Sequence, residues 1–496
     1  MTDELKTRLY HKLKAYHQEN LLQYWDELDQ TQRQLLADDI DSLDLQYVTQ
    51  SFEKVMQTGQ SHSQKKDDHI LPLPEDVYCT LPNVDSHRQD WQTLGLNLIA
   101  DNKVAVILLA GGQGTRLGVD YPKGMYCVGL PSGKSLYQIQ GERMFRLQQL
   151  AQERTGKKGT IPWYIMTSQH TKQQTRNYFE KHKFFGLNEK DIMFFEQSTL
   201  PCFDFDGKII LAAPDKIARA PNGNGGLYSA LSNCGILKDM QDRGIAHIQA
   251  YCVDNILIKM VDPVFTGYCA SKNADCGAKV VRKVDASESV GLVCLCDGTY
   301  QVIEYSEISK EMTEKRNKNG ELMFNAANIC NHYFSYDFLS QTVSARENEL
   351  PHHMARKKIP YVNESGQTVK PETPNGIKME KFVFDVFLFS KNFAVMEVKR
   401  EDEFSPLKNK CGTGRDCPET AKAALGKLHG RYILEAGGKF ATKDGKEISD
   451  TSSLKDVVDF ECEVSPNLSF AGENLSELVG GKVLDFPVYL KAECDK

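Results

Sequence analysis

Hydrophobic positions recur along this chain with two different periods, and the change from one to the other marks its organisation. At the start, Leu5, Leu9, Leu13 and Tyr16, then Leu21, Trp25 and Leu28, return at helical spacings with charged residues between them. Residues 1–99 are therefore predicted to form a helical N-terminal region. The heptad does not persist, so helices packed on one another are expected rather than a coiled coil. Ser61 to Asp68 is a polar break, and Leu71-Pro-Leu-Pro74 reads as an extended connector.

From residue 100 to 404 short apolar runs alternate with helical stretches. The runs are Val104–Ala110, Trp163–Thr167, Ile192–Phe195, Ile209–Leu211, Ile248–Val253, Ala278–Val281 and Val290–Leu295. Strand–helix alternation at this spacing predicts an α/β domain whose sheet is layered by helices, with ligands beyond the carboxyl ends of the strands. Residues 405–496 carry short Gly/Asp/Lys turns and short apolar runs, including Ile433–Gly437 and Val483–Leu490, and are expected to form a smaller β-rich domain.

Composition narrows the partners. With 496 residues, 41% apolar and 26% charged, the chain has ample material for a large core. Its formal charge of −7 and the lack of a long Lys/Arg block argue against nucleic acid or an anionic membrane as the main partner. The first residues are charged and the longest apolar runs are strand-sized, so neither a signal peptide nor a membrane span is expected, and the chain is placed in the cytoplasm. The 14 cysteines are scattered, and Cys252, Cys294 and Cys330 lie in apolar runs, as free core thiols in a reducing compartment do.

The chemistry enters where Val104–Ala110 empties into Gly111-Gly-Gln-Gly-Thr-Arg-Leu-Gly118, with Pro122-Lys123-Gly124 just beyond. Gly111, Gly112 and Gly114 let main-chain N–H groups approach a polyphosphate, and Arg116 and Lys123 supply the charge that a nucleotide needs. The spacing from Gly112 to Gly118 has one residue too many for the dinucleotide-binding pattern, which removes most support for hydride chemistry. Gly129-Leu-Pro-Ser-Gly133-Lys134-Ser135 resembles a P-loop ending but is one residue short and carries Pro131 inside the cradle. Lys134 is accordingly read as a solvated loop lysine.

The pattern that fits is longer. L-L-A-G-G-Q-G-T-R-L-G, Y-P-K-G-M-Y, P-W-Y-I-M-T-S, G-N-G-G-L-Y, Y-C-V-D-N-I-L, E-Y-S-E-I, P-N-G-I-K-M-E-K-F-V-F-D and R-E-D-E-F-S-P-L-K-N follow one another between residues 108 and 409. In this order they resemble the eukaryotic UDP-N-acetylhexosamine pyrophosphorylases, the nucleotidyltransferases that form UDP-N-acetylglucosamine. The resemblance implies a Rossmann-like, GT-A-like central domain with a mixed sheet. It also implies a uridylyl transfer from UTP to N-acetyl-α-D-glucosamine 1-phosphate, giving UDP-N-acetylglucosamine and pyrophosphate, with activity on N-acetylgalactosamine 1-phosphate as well. The partners are thus UTP, an N-acetylhexosamine 1-phosphate, UDP-N-acetylhexosamine and pyrophosphate, and a homodimer is compatible with it.

By the same resemblance Arg116 and Lys123 embrace the β- and γ-phosphates, while Leu109, Ala110, Gly111 and Gly112 contact the nucleotide. Asp254, at the end of a buried strand, is a hard oxygen ligand for Mg²⁺, with Mn²⁺ as a substitute. A strand-end Asp also serves as a turn cap, and the resemblance favours the metal. Lys378 begins a segment in which Met379, Phe382, Val383 and Val386 follow helical spacing, and Lys408 lies in the loop Phe404–Asn409. Family members use lysines at both places against the α-phosphate and the sugar phosphate. Gln197 and Gly223 match uridine contacts. Asn224, Gly291, Glu304, Asn328 and Phe384 match positions around the amino sugar, although Phe384 reads equally well as core packing. Asn222, Ala327 and Cys127 depart from the commoner Asp, Gly and Asp, which leaves the reaction class intact and the preference between sugar epimers open.

Two other functions compete. A UDP-glucose or broad UDP-sugar pyrophosphorylase shares the loop but lacks an acetamido pocket. A catalytically silent nucleotide-sugar sensor is expected to have lost Arg116, Lys123, Asp254 or a later lysine, and all are present. Finally, Gly412 and Gly414 between Cys411 and Cys417 make a short loop that the two thiols could close as a redox switch, the plainer expectation being two exposed free thiols.

Overall fold

The computed structural model describes residues 2–61, 66–441, 447–456 and 460–495, so residues 62–65 of the polar break lie outside the described residues. Packing sorts the chain into two compact units, neither contiguous in sequence. One comprises Met1–Asp68, Gln197–Ala230 and Arg346–Val386; the other comprises His69–Glu196, Leu231–Ala345 and Phe387–Lys496. Residues 69–99 thus pack in a different unit from residues 1–68, and residues 405–496 belong to the larger unit.

In the first unit the helices Thr2–Lys14, Gln30–Asp41 and Leu45–Ser61 bury the apolar stripe read from their periodicity. Leu9, Leu13, Leu21 and Trp25 share a core with Phe203, Ile209, Leu211, Ile377 and Met379. This core explains a departure from expectation. Ile209–Leu211 does not enter the central sheet: Leu211–Ala213 pairs with Lys216–Ile217 in a small hairpin, because its apolar side chains are taken up by the N-terminal helices.

The second unit is built on an 11-stranded mixed sheet. Val104–Leu109 is at its heart, fully buried along its length, as a continuous aliphatic run covered on both faces should be. His247–Cys252 pairs parallel to it on one side and Trp163–Thr167 on the other, followed by Ile192–Glu196. Beyond His247–Cys252 runs the antiparallel strand Ala326–Ser335, then Cys276–Arg282 and Phe393–Glu397. Chain order therefore reverses between Val104–Leu109 and His247–Cys252. In α/β sheets such a switch point opens a crevice at the carboxyl ends of the two strands.

The C-terminal stretch does contain short strands, among them Lys439–Ala441, Cys462–Val464 and Val488–Leu490. Its longest element is nonetheless a helix, Pro418–Glu435, and Ile433 lies in the last turn of it rather than in a strand. Ala421, Leu425, Leu428 and Tyr432 recur at helical spacing on its buried side and share a core with Leu117, Val128, Leu136 and Leu407. This packing ties the tail to the loops that leave the switch point.

Candidate active site

The two loops leaving the switch point carry the chemistry. Val253 N–H donates to Leu109 O and Ala110 N–H to Met166 O, so the three parallel strands end together. The glycine loop then folds back on itself: Gly114 N–H donates to Tyr121 O (3.1 Å), and Lys123 N–H to Gly112 O (3.5 Å). Gly114 is required by close packing, since a Cβ there would lie 2.4 Å from Val119 Cγ2. Its N–H is therefore spent inside the loop. This corrects the expectation that it faces a phosphate. Among the described residues, Gly111 and Gly112 make no main-chain N–H bond, and Arg116 is exposed.

Across the crevice Lys123 Nζ faces Asp254 Oδ2 at 3.7 Å, both side chains about one-fifth exposed. The strand-end carboxylate and the loop lysine, far apart in sequence, are thus brought together. Asp254 also receives Leu407 N–H on its main-chain oxygen (2.8 Å). Asn255 holds the same segment, accepting from Ser405 N–H and donating to Glu403 O. The exposed Lys408 follows directly, its N–H bonded to Asp416 O (2.7 Å). Sequence reasoning missed Asn255; its place beside Asp254 was the available signal.

At the same end of the sheet, Leu292 pairs with Ile303 in a hairpin, which sets the flanking Gly291 and Glu304 opposite one another. Asn328 N–H donates to Gly291 O (2.9 Å). Hence the structure brings Gly291, Glu304 and Asn328 together. The Asn328 side chain is committed on one side: its Oδ1 accepts from Cys330 N–H (3.0 Å) and lies 3.1 Å from His332 Nε2. Beside it the Cys252 thiol donates to the Cys330 sulfur (3.1 Å). That contact, burial and the nearby Asp254 carboxylate raise the Cys252 thiol well above its ordinary range.

The remaining expected residues lie in the first unit. Gly223 adopts a positive φ of 65°, and a Cβ there would meet Lys381 O at 2.3 Å, so this turn admits only glycine. Gly225 N–H donates to Lys381 O and Asn222 N–H to Ser198 O, next to Gln197. Asn224 Oδ1 accepts from Val383 N–H (2.9 Å). Phe384 is half-buried, its ring 5.1 Å from Phe382, and is not a helix core residue. Lys378 does not start a helix. It lies in the middle of the strand Gly376–Glu380, paired with Ala355, between the buried Ile377 and Met379. Two-residue alternation, masked by a coincident helical spacing, is the true period here.

Two other expectations change. Lys134 is not solvated: it is 5% exposed and bonds Glu142 (2.6 Å) and Asp495 (2.8 Å). Of the two loop cysteines only Cys411 is exposed, against Glu419, while Cys417 is buried at the start of the Pro418–Glu435 helix. Both are free thiols.

A mixed α/β sheet that delivers a cationic glycine loop and a strand-end carboxylate to its switch point defines a nucleotidyltransferase-type protein. Known proteins narrow the class. The model of the family described as UTP–glucose-1-phosphate uridylyltransferase matches residues 45–455, and the chain belongs to that family. The UDP-N-acetylhexosamine pyrophosphorylase-like protein 1 of Xenopus tropicalis is 50% identical over 482 residues, 96% of this chain and 94% of that protein. The UDP-N-acetylglucosamine pyrophosphorylase of Saccharomyces cerevisiae is 46% identical over 84% of each chain. The solved structure of the uridine diphosphate N-acetylglucosamine pyrophosphorylase of Trypanosoma brucei, in complex with an inhibitor, superposes with a TM-score of 0.81. It is 27% identical, with 99% of this chain and 98% of that one covered.

Proposed function

We propose that this chain transfers the uridylyl group of UTP to N-acetyl-α-D-glucosamine 1-phosphate, releasing pyrophosphate, and accepts the galacto epimer to some extent. The observation that carries this reading is the Lys123–Asp254 pair at the switch point, with the Lys408 segment bonded to the same strand end. The nucleophile is a phosphate oxygen, whose second pKa near about 6 leaves it ionised at neutral pH. No general base is needed. An oxygen of the sugar phosphate attacks the α-phosphorus in line, the bond to the β-phosphate oxygen breaks, and that electron pair leaves on pyrophosphate. The protein's task is to offset charge as two polyanions meet. Arg116 and Lys123 act on the departing phosphates, and Lys378 and Lys408 on the α-phosphate and the sugar phosphate. Gln197 and Gly223 hold the uridine, and Asn224, Gly291, Glu304, Asn328 and Phe384 the amino sugar.

Asp254 fits Mg²⁺, and Mn²⁺ in its place. Among the described residues no group of three or more His, Cys, Asp or Glu gathers to hold a metal. A cation here would take the Asp254 carboxylate and complete its shell with phosphate oxygens, the ligand set that Mg²⁺ commonly adopts. When bound it supplies positive charge to the phosphates. Asp254→Asn keeps the shape and removes the charge, so it is expected to fold normally and to need much more Mg²⁺ for activity. Magnesium titrations of the rate test this, and an unchanged requirement would reduce Asp254 to a structural cap.

A cytoplasmic location belongs to the same reading, supported by the scattered free thiols. No described helix is long and apolar enough to cross a membrane.

The substrate is tested by pyrophosphate release from UTP with different sugar 1-phosphates. N-acetylglucosamine 1-phosphate is expected to outrun glucose 1-phosphate at least tenfold in kcat/KM, since a lost or unpaired pocket contact is worth about 1–3 kcal/mol. Equal constants for the two would favour a broad UDP-sugar pyrophosphorylase instead.

A further inference from the structure

We infer that His332 is a positioning residue for sugar recognition: it helps to lock the Asn328 amide with its oxygen inward, so that the site presents an N–H donor to an oxygen acceptor on the sugar. The inference rests on the reading of the Gly291, Glu304 and Asn328 cluster as the sugar site. It concerns a residue that touches no substrate itself.

Donors and acceptors around Asn328 fix the orientation of its amide. An amide side chain presents an acceptor at one corner and two donors at the other, and its neighbours decide which faces where. Cys330 N–H can only donate, and it meets Asn328 Oδ1 at 3.0 Å. Cys330 has a left-handed backbone (φ 53°), an uncommon conformation for a residue with a Cβ, and its N–H is turned onto this oxygen. His332 Nε2 meets the same oxygen at 3.1 Å. Because that oxygen can only accept, Nε2 must carry the ring proton.

The second ring nitrogen agrees. His332 is fully buried and its Nδ1 has no hydrogen-bond partner among the described residues. Burial pushes the imidazole down to about 3, so a single proton is present at neutral pH and it resides on Nε2. A buried nitrogen without a partner is unfavourable. The ring stands edge-on to Phe387 at 4.9 Å, where a phenyl group would pack without that penalty. What the imidazole does and a phenyl ring cannot is hold Asn328. With its oxygen engaged twice, Asn328 offers only N–H to a ligand, which complements the carboxylate acceptor of Glu304 beside it.

The test combines kinetics with a tautomer measurement. His332→Phe fills the space without the donor and is expected to raise the KM for N-acetylglucosamine 1-phosphate about tenfold, leaving the KM for UTP and the thermal midpoint unharmed. His332→Gln places an N–H at similar reach and should bring the KM back to within about threefold of wild type. Nitrogen-15 spectra of the wild-type histidines should include a neutral, Nε2-protonated ring between pH 5 and 8, beside that of His429, whose Nδ1 accepts Val464 N–H, and His332→Gln should remove the one assigned to His332; this arm needs no activity and no Phe variant. Protonation of the His332 ring on Nδ1, an equal rise in both KM values, or no rescue by Gln would overturn the proposal. Failure of the wild-type protein to release pyrophosphate with any N-acetylhexosamine 1-phosphate would instead sink the functional reading, with the tautomer result standing apart from it.

Discussion

Lys123→Ala is expected to lower turnover about a hundredfold or more, the usual consequence of removing one preorganised group that stabilises developing charge. Its backbone is held by the bond to Gly112 O and its ammonium is confined against Asp254, so the charge is in place before substrate arrives. Charge accumulates on pyrophosphate as the α–β bond breaks, and a fixed cation there gains more in the transition state than in the ground state. The loss should consequently fall on kcat more than on the KM for UTP. The variant should fold, because the side chain is only partly buried and its ion pair with Asp254 is long. Steady-state kinetics against both substrates decide the matter. A kcat within a few-fold of wild type would show that the loop binds nucleotide without assisting its departure.

Lys134→Ala is expected to do the opposite: to destabilise the fold by about 3–5 kcal/mol while leaving the kcat of the folded protein near wild type. The side chains of Lys134, Glu142 and Asp495 are each less than one-tenth exposed, and truncating the lysine leaves two carboxylates without their cation. Thermal or urea unfolding measures the loss. Replacing Lys134 by Met together with both carboxylates by apolar residues of similar size should recover most of it. The pH dependence has a definite sign. Burial pushes the Asp495 carboxyl up, but bonds from Lys134, Ser465, Ala492 N–H and Asn467 outweigh it and hold the group at about 2. A depressed carboxyl contributes stability above its unfolded value of about 4, and that contribution is lost as the pH falls from about 4 toward 2. In Lys134→Ala this acid-side loss should shrink. A variant as stable as wild type would return Lys134 to the status of a surface lysine.

The two lysines show how far the chain could be read unaided. Both follow glycine-rich stretches and both look like phosphate ligands by composition. Their spacing assigns the phosphate chemistry to the loop that carries Lys123, which follows the buried parallel strand Val104–Leu109. Spacing could not show that Lys134 is buried, because its partner Asp495 is 361 residues away. Lys378 failed for a different reason. Its neighbours satisfy a helical and a two-residue period at once, and only pairing with His353–Lys357 and Phe203–Asp204 selects the strand. In the C-terminal stretch the helical spacing of Ala421, Leu425, Leu428 and Tyr432 was legible but overshadowed by glycine-rich turns.

By itself the sequence determined what each segment can be: a run of buried aliphatic residues, a glycine loop with cations, a carboxylate at a strand end, and the order of motifs that marks the family. These are local properties, encoded in side-chain type and in period. Tertiary structure decided what those segments do to one another. The parallel register of Val104–Leu109 with His247–Cys252 sets Lys123 against Asp254. The hairpin and its neighbouring strand bring Gly291, Glu304 and Asn328 together, and Cys330 N–H and His332 Nε2 engage the oxygen of the Asn328 amide. Hydrogen-bond direction and burial depend on atoms contributed from distant parts of the chain, and no local pattern carries that information.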